Sequence, residues 1–318
     1  MAEAIDARYP LHLNTGRLRD QWHAMSRTGR VARLFAHADT PALAMNARDL
    51  ELRRLKAGDL VRVKSRRGEV IVVAEASDSV RPGQCFLPMH WGARFMGGLG
   101  INALTLPLFD AVSKQPELKH AAVQVAKAEL PWRMAVLAVG DGTRLLDAVQ
   151  PLLRACDYAA AGLAGRERDV LTLRLAHTQP LPDAMLAALD AALGLDDPLA
   201  VMHYQDSPHG ISKRVRVDGG KVTAARLTGE TAAFDWLRDV IVEGVDAVSL
   251  RAWMLAPVAR PPAGGAARGR IVCNCLNVAE PDIVAAIAGG ADLAVLQATL
   301  KCGTECGSCV PELKRLIA

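Results

Sequence analysis

Five of the seven cysteines fall in the last forty-six residues, four of them as Cys273-Asn274-Cys275 and Cys306-Gly307-Ser308-Cys309. The spacing is C-x-C, thirty residues, then C-x₂-C, and it unites two thiolate pairs only if the intervening segment folds back as a compact metal-binding unit. Four thiolates without histidine suit a tetrahedral Zn²⁺ or a [2Fe–2S] cluster. Zinc sites usually pair two C-x₂-C knuckles, so the C-x-C arm favours iron–sulfur. Zinc, or buried thiols with no metal, are the alternatives.

The elements around these cysteines follow from helix punctuation. Asn277 is predicted to cap a helix with Glu280 three residues on, Pro281 fits its first turn, and Gly289-Gly290 end it. A second helix is predicted from Asp292 to about Lys301, with Gly303 as its stop, and a third from Pro311. The last cysteine pair then sits at a helix N-terminus, where free backbone N–H groups stabilise negative sulfur. Cys302 reads as a small buried residue at a helix end.

At the front, Leu13 to His23 followed by Ser26-Arg27-Thr28-Gly29 packs hydroxyls, a glycine turn and several arginines together. Such groups bind phosphate oxygens or a polar heterocycle, but composition alone favours a solvated turn over a binding loop. Nearby, Leu60 to Lys64 alternates with period two, Ser65 to Gly68 turns, and Glu69 to Ala74 is an apolar run, which predicts a hairpin. Pro82-Gly83 marks a turn before another strand. From Trp132 the texture becomes strand and helix in alternation. Met134 to Val139 is predicted as a strand, Thr143 to Leu153 as one amphipathic helix, and Arg214 to Leu227 as a hairpin around Asp218-Gly219-Gly220. Val139-Gly140-Asp141-Gly142 is a simple strand-to-helix turn. The Pro/Gly-rich stretch 261–270 is predicted to be an exposed tether.

Two resemblances sharpen this reading. Val272 to Val278 with Lys301 to Cys309 resembles the [2Fe–2S] domain of bacterioferritin-associated ferredoxin, a module that also ends NADH-linked assimilatory nitrate reductases. The resemblance implies Cys273, Cys275, Cys306 and Cys309 as ligands. Leu13 to Gly29, Phe86 to Trp91, Ile101 to Thr105 and Ser113 to His120 are similar to the C-terminal molybdopterin-dinucleotide-binding domain of the dimethyl-sulfoxide-reductase superfamily, closest to the cytoplasmic assimilatory nitrate reductases. That implies a six-stranded double-psi β-barrel. It also implies cofactor contacts from Thr15, Gly16, Arg17, Asp20, Trp22 and His23, an amide contact from Asn102 and a cationic one from Lys119. Asn46-Ala47-Arg48-Asp49 and Ala111-Val112 depart from the family pattern, but neither removes a proposed contact. The segment with Asp206 to Gly210, Arg214, Asp218-Gly219-Gly220 and Gly229-Glu230 resembles the linker of the same reductases, with a positioning role.

The expected architecture is therefore multidomain α+β. Residues 1–131 form the double-psi barrel, 132–260 an α/β middle domain, 261–270 a linker and 271–318 a small helical [2Fe–2S] domain. The expected cofactors are a [2Fe–2S] cluster and molybdenum-bis(molybdopterin guanine dinucleotide), the latter shared with N-terminal domains or a subunit that hold the molybdenum and [4Fe–4S] ligands. The electron donor implied is an NADH-dependent flavoprotein. No residue for nitrate reduction itself is expected in this chain. A non-enzymatic iron–sulfur module or a zinc-stabilised interaction protein are the competing functions.

Composition bounds these expectations. With 318 residues, 51% hydrophobic and 23% charged, the chain has room for two or three globular domains. A net charge of +4 with 4% aromatics is too mild for a nucleic-acid partner. No signal peptide and no apolar run of membrane-spanning length is evident, so a cytoplasmic location is expected. The odd cysteine number suits a reducing compartment.

Overall fold

The computed structural model of the protein describes residues 3–35, 38–260 and 269–318. The first third is a closed barrel of six strands: β1 (Leu11–Gly16), β2 (Ala42–Met45), β3 (Leu60–Lys64), β4 (Glu69–Ala76), β5 (Gln84–Pro88) and β6 (His120–Lys127). Their order around the barrel is β1-β5-β2-β4-β3-β6. Alternation along the strands drives the closure: Leu11, Leu13, Leu43, Met45, Val61, Val63, Val72, Leu87, Val123 and Val125 all point into one core. Closure also leaves no unpaired edge. The predicted β3–β4 hairpin is present in register, with Leu60 opposite Val73 and Lys64 opposite Glu69.

The pairing decides where the loops emerge. β1 and β5 are parallel, with Gly16 opposite Pro88, so the segments following them leave at the same end. β6 is antiparallel to β1, with His120 opposite Asn14, so the chain entering β6 arrives there too. A short helix α2 (Ala47–Leu52), capped by the Asn46 side chain on the Arg48 N–H at 3.1 Å, carries the buried Asp49. Its carboxylate accepts the Gly83 N–H at 2.7 Å and so pins the predicted Pro82-Gly83 turn. The one-turn helix α1 (Ala32–Phe35) drives Phe35 into the seam between the barrel and the second sheet. The ring lies 5.4 Å from Phe95 and edge-on to Trp91, and a Cβ at Gly162 would approach it to 2.6 Å.

The second sheet has strands β7 (Trp132–Gly140), β8 (Tyr158–Ala164), β9 (Asp169–His177), β10 (Val201–Asp206), β11 (Ile211–Asp218) and β12 (Lys221–Thr228), ordered β10-β11-β12-β7-β9-β8. The strand and helix alternation expected from the sequence is there, but the α/β arrangement is not: all five neighbouring pairs are antiparallel. β7 and β8 run the same way, yet β9 is inserted between them, so the helical crossover never makes a parallel pair. The predicted single helix over Thr143 to Leu153 is divided into α3 (Gly142–Ala148) and α4 (Gln150–Ala155). Pro151 is the reason, since it lacks an N–H and clashes with the preceding turn, and here it opens a new helix instead.

Helices α5 (Asp183–Leu193) and α6 (Phe234–Glu243) cover the sheet faces. Arg226 holds the buried Asp190 of α5 bidentately at 2.6 and 2.8 Å, and Arg214 reaches the same carboxylate at 3.3 Å. The predicted β11–β12 hairpin turns at Gly219 and Gly220 with φ of 54° and 78°, backbone that only glycine adopts without strain.

The tail comprises β13 (Ile271–Cys273), β14 (Val278–Ala279), α7 (Glu280–Ala288), α8 (Leu293–Thr299) and α9 (Val310–Ile317) around its own small core. Asn277 is not a helix cap as predicted. It takes a left-handed conformation, φ 57°, which turns the chain back so that β14 can pair with β13, and α7 starts after Ala279. Asp292 caps α8 on the Val295 N–H at 2.9 Å, but the helix stops at Thr299 because Lys301 is already left-handed. The predicted tether lies, but for its last two residues, outside the described residues. Among the described residues no helix is long and apolar enough to cross a membrane.

Candidate cofactor sites

In the tail, the β13–β14 turn presents Cys273 and Cys275 together, with Sγ atoms 3.7 Å apart. The loop between α8 and α9 brings Cys306 to 3.5 Å from Cys275, while the Cys309 thiol donates to Cys273. The four thiols thus form a chain Cys306–Cys275–Cys273–Cys309. Cys273 and Cys309 are buried and Cys306 is exposed, so one flank of the group faces solvent. The loops that fold this tightly use left-handed backbone at Asn277, Lys301, Gly303 and Gly307. At Gly303, a Cβ would also come within 2.9 Å of the Val310 side chain.

The electrostatics show what the group needs. The Cys273 thiol is pulled down to about 5, first by the hydrogen bond from Cys309 and, against its burial, by the backbone N–H groups of Gly303 and Leu276. Cys309 is pushed up correspondingly because it supplies that proton. Burial pushes Cys275 up to about 12. The protein alone therefore stabilises one thiolate well, and further deprotonation calls for cations at the centre. Sulfur separations of 3.5 and 3.7 Å match the edge of a metal–thiolate tetrahedron, about 3.8 Å for bonds near 2.3 Å. Cys302 stands apart: it is fully buried in the tail core and its thiol faces the Leu296 carbonyl at 3.6 Å.

At the barrel end, the Thr15 N–H bonds the Lys119 carbonyl at 3.1 Å, and its hydroxyl is spent on the Leu118 carbonyl. Gly16 lies against the Phe86 ring, and its carbonyl accepts the Met89 N–H at 3.0 Å. The Lys119 ammonium lies 3.3 Å from the Met89 sulfur. Thr15, Gly16 and Lys119 are thus brought together. Arg17, Trp22 and His23 are exposed on the loop that follows, with the two rings edge to face at 5.3 Å and Arg27 over Trp22 at 4.8 Å. Asn102 is exposed on a short 3₁₀ turn tied to Trp91 through the Ile101 N–H at 3.1 Å. Cations and stacking rings of this kind, with an amide on a separate turn, are groups suited to a pyrophosphate-linked heterocycle.

Asp20 differs from the other candidates, because its carboxylate is buried and accepts the Asn274 side-chain amide at 2.8 Å. Sequence reasoning also left His90 without a role. It is fully buried, accepts the Leu18 N–H on Nε2 at 3.0 Å, and is kept neutral chiefly by burial. It props the candidate loop from below, and the partner lies seventy-two positions away, beyond any local pattern.

Residues 11–122 fit the family described as "Molydopterin dinucleotide binding domain" and residues 271–318 the "BFD-like [2Fe-2S] binding domain". The chain therefore contains a molybdopterin-dinucleotide-binding domain and a [2Fe–2S] domain, and its cofactors are those two groups. It is similar to the nitrate reductase of Klebsiella oxytoca, 33% identical over 331 aligned positions that take in 98% of this chain and 34% of that protein. The chain spans about a third of the length of that curated relative. Among solved structures, acetylene hydratase from Pelobacter acetylenicus aligns over 38% of this chain and 18% of that one, with TM-score 0.33 and 16% identity.

Proposed function

We propose that this chain is the C-terminal part of a molybdenum-dependent assimilatory nitrate reductase, acting in the cytoplasm. The observation that carries the reading is the joining of the two cofactor domains in one chain that is similar along almost its whole length to a nitrate reductase. In this reading residues 1–131 are a double-psi barrel holding molybdopterin guanine dinucleotide, and residues 132–260 position it relative to the tail. Arg17 and Lys119 neutralise phosphate, Trp22 and His23 flank a heterocycle, and Asn102 reads a pterin or guanine edge. Thr15 and Gly16 shape the backbone that approaches it.

Cys273, Cys275, Cys306 and Cys309 hold a [2Fe–2S] cluster, which when bound supplies one-electron transfer. The residues around it tune that step. Backbone N–H groups of Gly303 and Leu276 stabilise negative sulfur, and the exposed Cys306 flank is where a flavoprotein carrying electrons from NADH would approach. The nitrate-reducing centre belongs to N-terminal domains or a partner subunit that complete the enzyme.

The test is co-expression with the region that precedes this portion in its relatives. Nitrite formation driven by NADH and a flavoprotein, with guanosine monophosphate released by acid treatment, is the expected result. A complex that carries both cofactors yet leaves nitrate unreacted under strong chemical reductants would overturn the substrate assignment.

A further inference from the structure

Two consecutive residues of the candidate cofactor loop are turned away from the barrel rim and toward the tail. The Arg19 guanidinium donates to the Val272 carbonyl at 2.6 Å and to the Glu312 carboxylate. Asp20 accepts the side-chain amide of Asn274, the residue between the first two cysteines of the cluster motif. Val272 directly precedes Cys273, and Glu312 lies in the first turn of α9, three residues after Cys309. Both halves of the thiol group are thus held by one dipeptide some 250 positions earlier in the chain, at separations of 253, 293 and 254 residues. From the second sheet, Arg166 adds a weaker contact to the Asn274 carbonyl at 3.4 Å.

The Asp20 carboxylate and the Glu312 side chain are almost fully shielded from water, at 1% and 11% exposure. Arg270 also holds Glu312 from within the tail, so the cost of separation falls on the loop side: Arg19 would lose its Val272 and Glu312 acceptors and the buried Asp20 its Asn274 donor. The contact is also directional, since the fork of Arg19 and the amide of Asn274 fix both distance and orientation.

We propose that Arg19 and Asp20 form a latch that locks the iron–sulfur module onto the cofactor-binding loop, so that the same segment follows the barrel strand β1 and positions the cysteine ligands. This rests on the tail being the cluster holder and goes beyond it by assigning the two residues to docking. Arg19 and Asp20 are positioning residues that act through Val272, Asn274 and Glu312. The charge of Asp20 also sits one side chain from a ligand loop, where it opposes the extra negative charge of a reduced cluster.

Hydrogen exchange and redox titration of the full chain, loaded with its cluster, test the latch. Arg19→Ala and Asp20→Ala are expected to speed exchange of the amides at 271–277 by about tenfold or more. Asn274→Ala, on the opposite side, should speed exchange at 16–20, because coupling between two surfaces is reciprocal. Asp20→Asn keeps an acceptor for Asn274 while removing the charge, so its exchange should stay native while the cluster midpoint potential shifts positive. Iron and sulfide content, measured for every variant, separates loss of the cluster from loss of docking. Native exchange on both sides in Arg19→Ala, Asp20→Ala and Asn274→Ala, with cluster content unchanged, would overturn the latch. So would an unshifted potential in Asp20→Asn.

Discussion

The two cofactor regions of this protein are made in opposite ways. The cluster site is local: all four thiols come from one forty-six-residue stretch, and four left-handed residues bend its loops around them. The barrel site is assembled from afar. Thr15, Gly16, Met89 and Lys119 meet only because parallel pairing of β1 with β5 and the antiparallel return of β6 bring their ends together. A local site depends on its metal for its shape, whereas a site on a closed barrel is held by the fold itself. The chain therefore joins a metal-dependent module to a metal-independent scaffold.

The largest effect that separates the two should come from the ligands. Cys273→Ser or Cys309→Ser is expected to abolish cluster binding and unfold the tail, while circular dichroism of the barrel and second sheet stays native. Prolonged chelation should do the same. Loss of sheet signal in step with the tail would break the comparison. By contrast Cys302→Ala should retain full iron and sulfide, since that thiol only fills the tail core.

Next comes the scaffold. Asp190→Ala strands the buried Arg226 and is expected to cost about 3–5 kcal/mol in denaturant unfolding of the second sheet, with the cluster absorption unchanged at low denaturant. At the rim, Lys119→Ala and Arg17→Ala should each weaken guanine nucleotide binding by about tenfold without altering stability, because both side chains are exposed.

The smallest effect concerns pH. Glu3 is held well below its usual range, at about 2, above all by the Arg67 guanidinium and also by the Ala122 N–H and Arg66. A depressed carboxylate stabilises the fold above its unfolded value of 4.5 and loses that contribution as pH falls toward 2. In the metal-free chain, Glu3→Gln should therefore flatten the acid side of the barrel's stability curve within that window. An unchanged curve would show that the segment before β1 is not anchored to the β3–β4 turn and β6 in this way.

The same local-versus-distant contrast governs what the sequence makes legible. Cysteine spacing, the β3–β4 and β11–β12 hairpins, the Pro82-Gly83 turn and the start of α9 can be read directly, because each is decided by residues within a few positions. The cap at Asn277 misleads because two residues of strand pairing outweigh a local capping preference. The single helix over Thr143 to Leu153 fails at Pro151, a signal that was present in the sequence. The α/β middle layer misleads for a deeper reason: strand and helix alternation looks the same whether β9 lies outside β7 and β8 or between them. The Arg19–Glu312 and Asp20–Asn274 contacts have no local signature at all. Asp20 was legible as a polar loop residue, but not as one facing the tail.

Metal and sulfide analysis of the purified chain, together with paramagnetic resonance after dithionite reduction, tests the central claim most directly. The account expects two iron and two acid-labile sulfide per chain, a one-electron paramagnetic signal on reduction, and loss of all three in Cys273→Ser but not in Cys302→Ala. A colourless protein carrying stoichiometric zinc on the same four cysteines would contradict it.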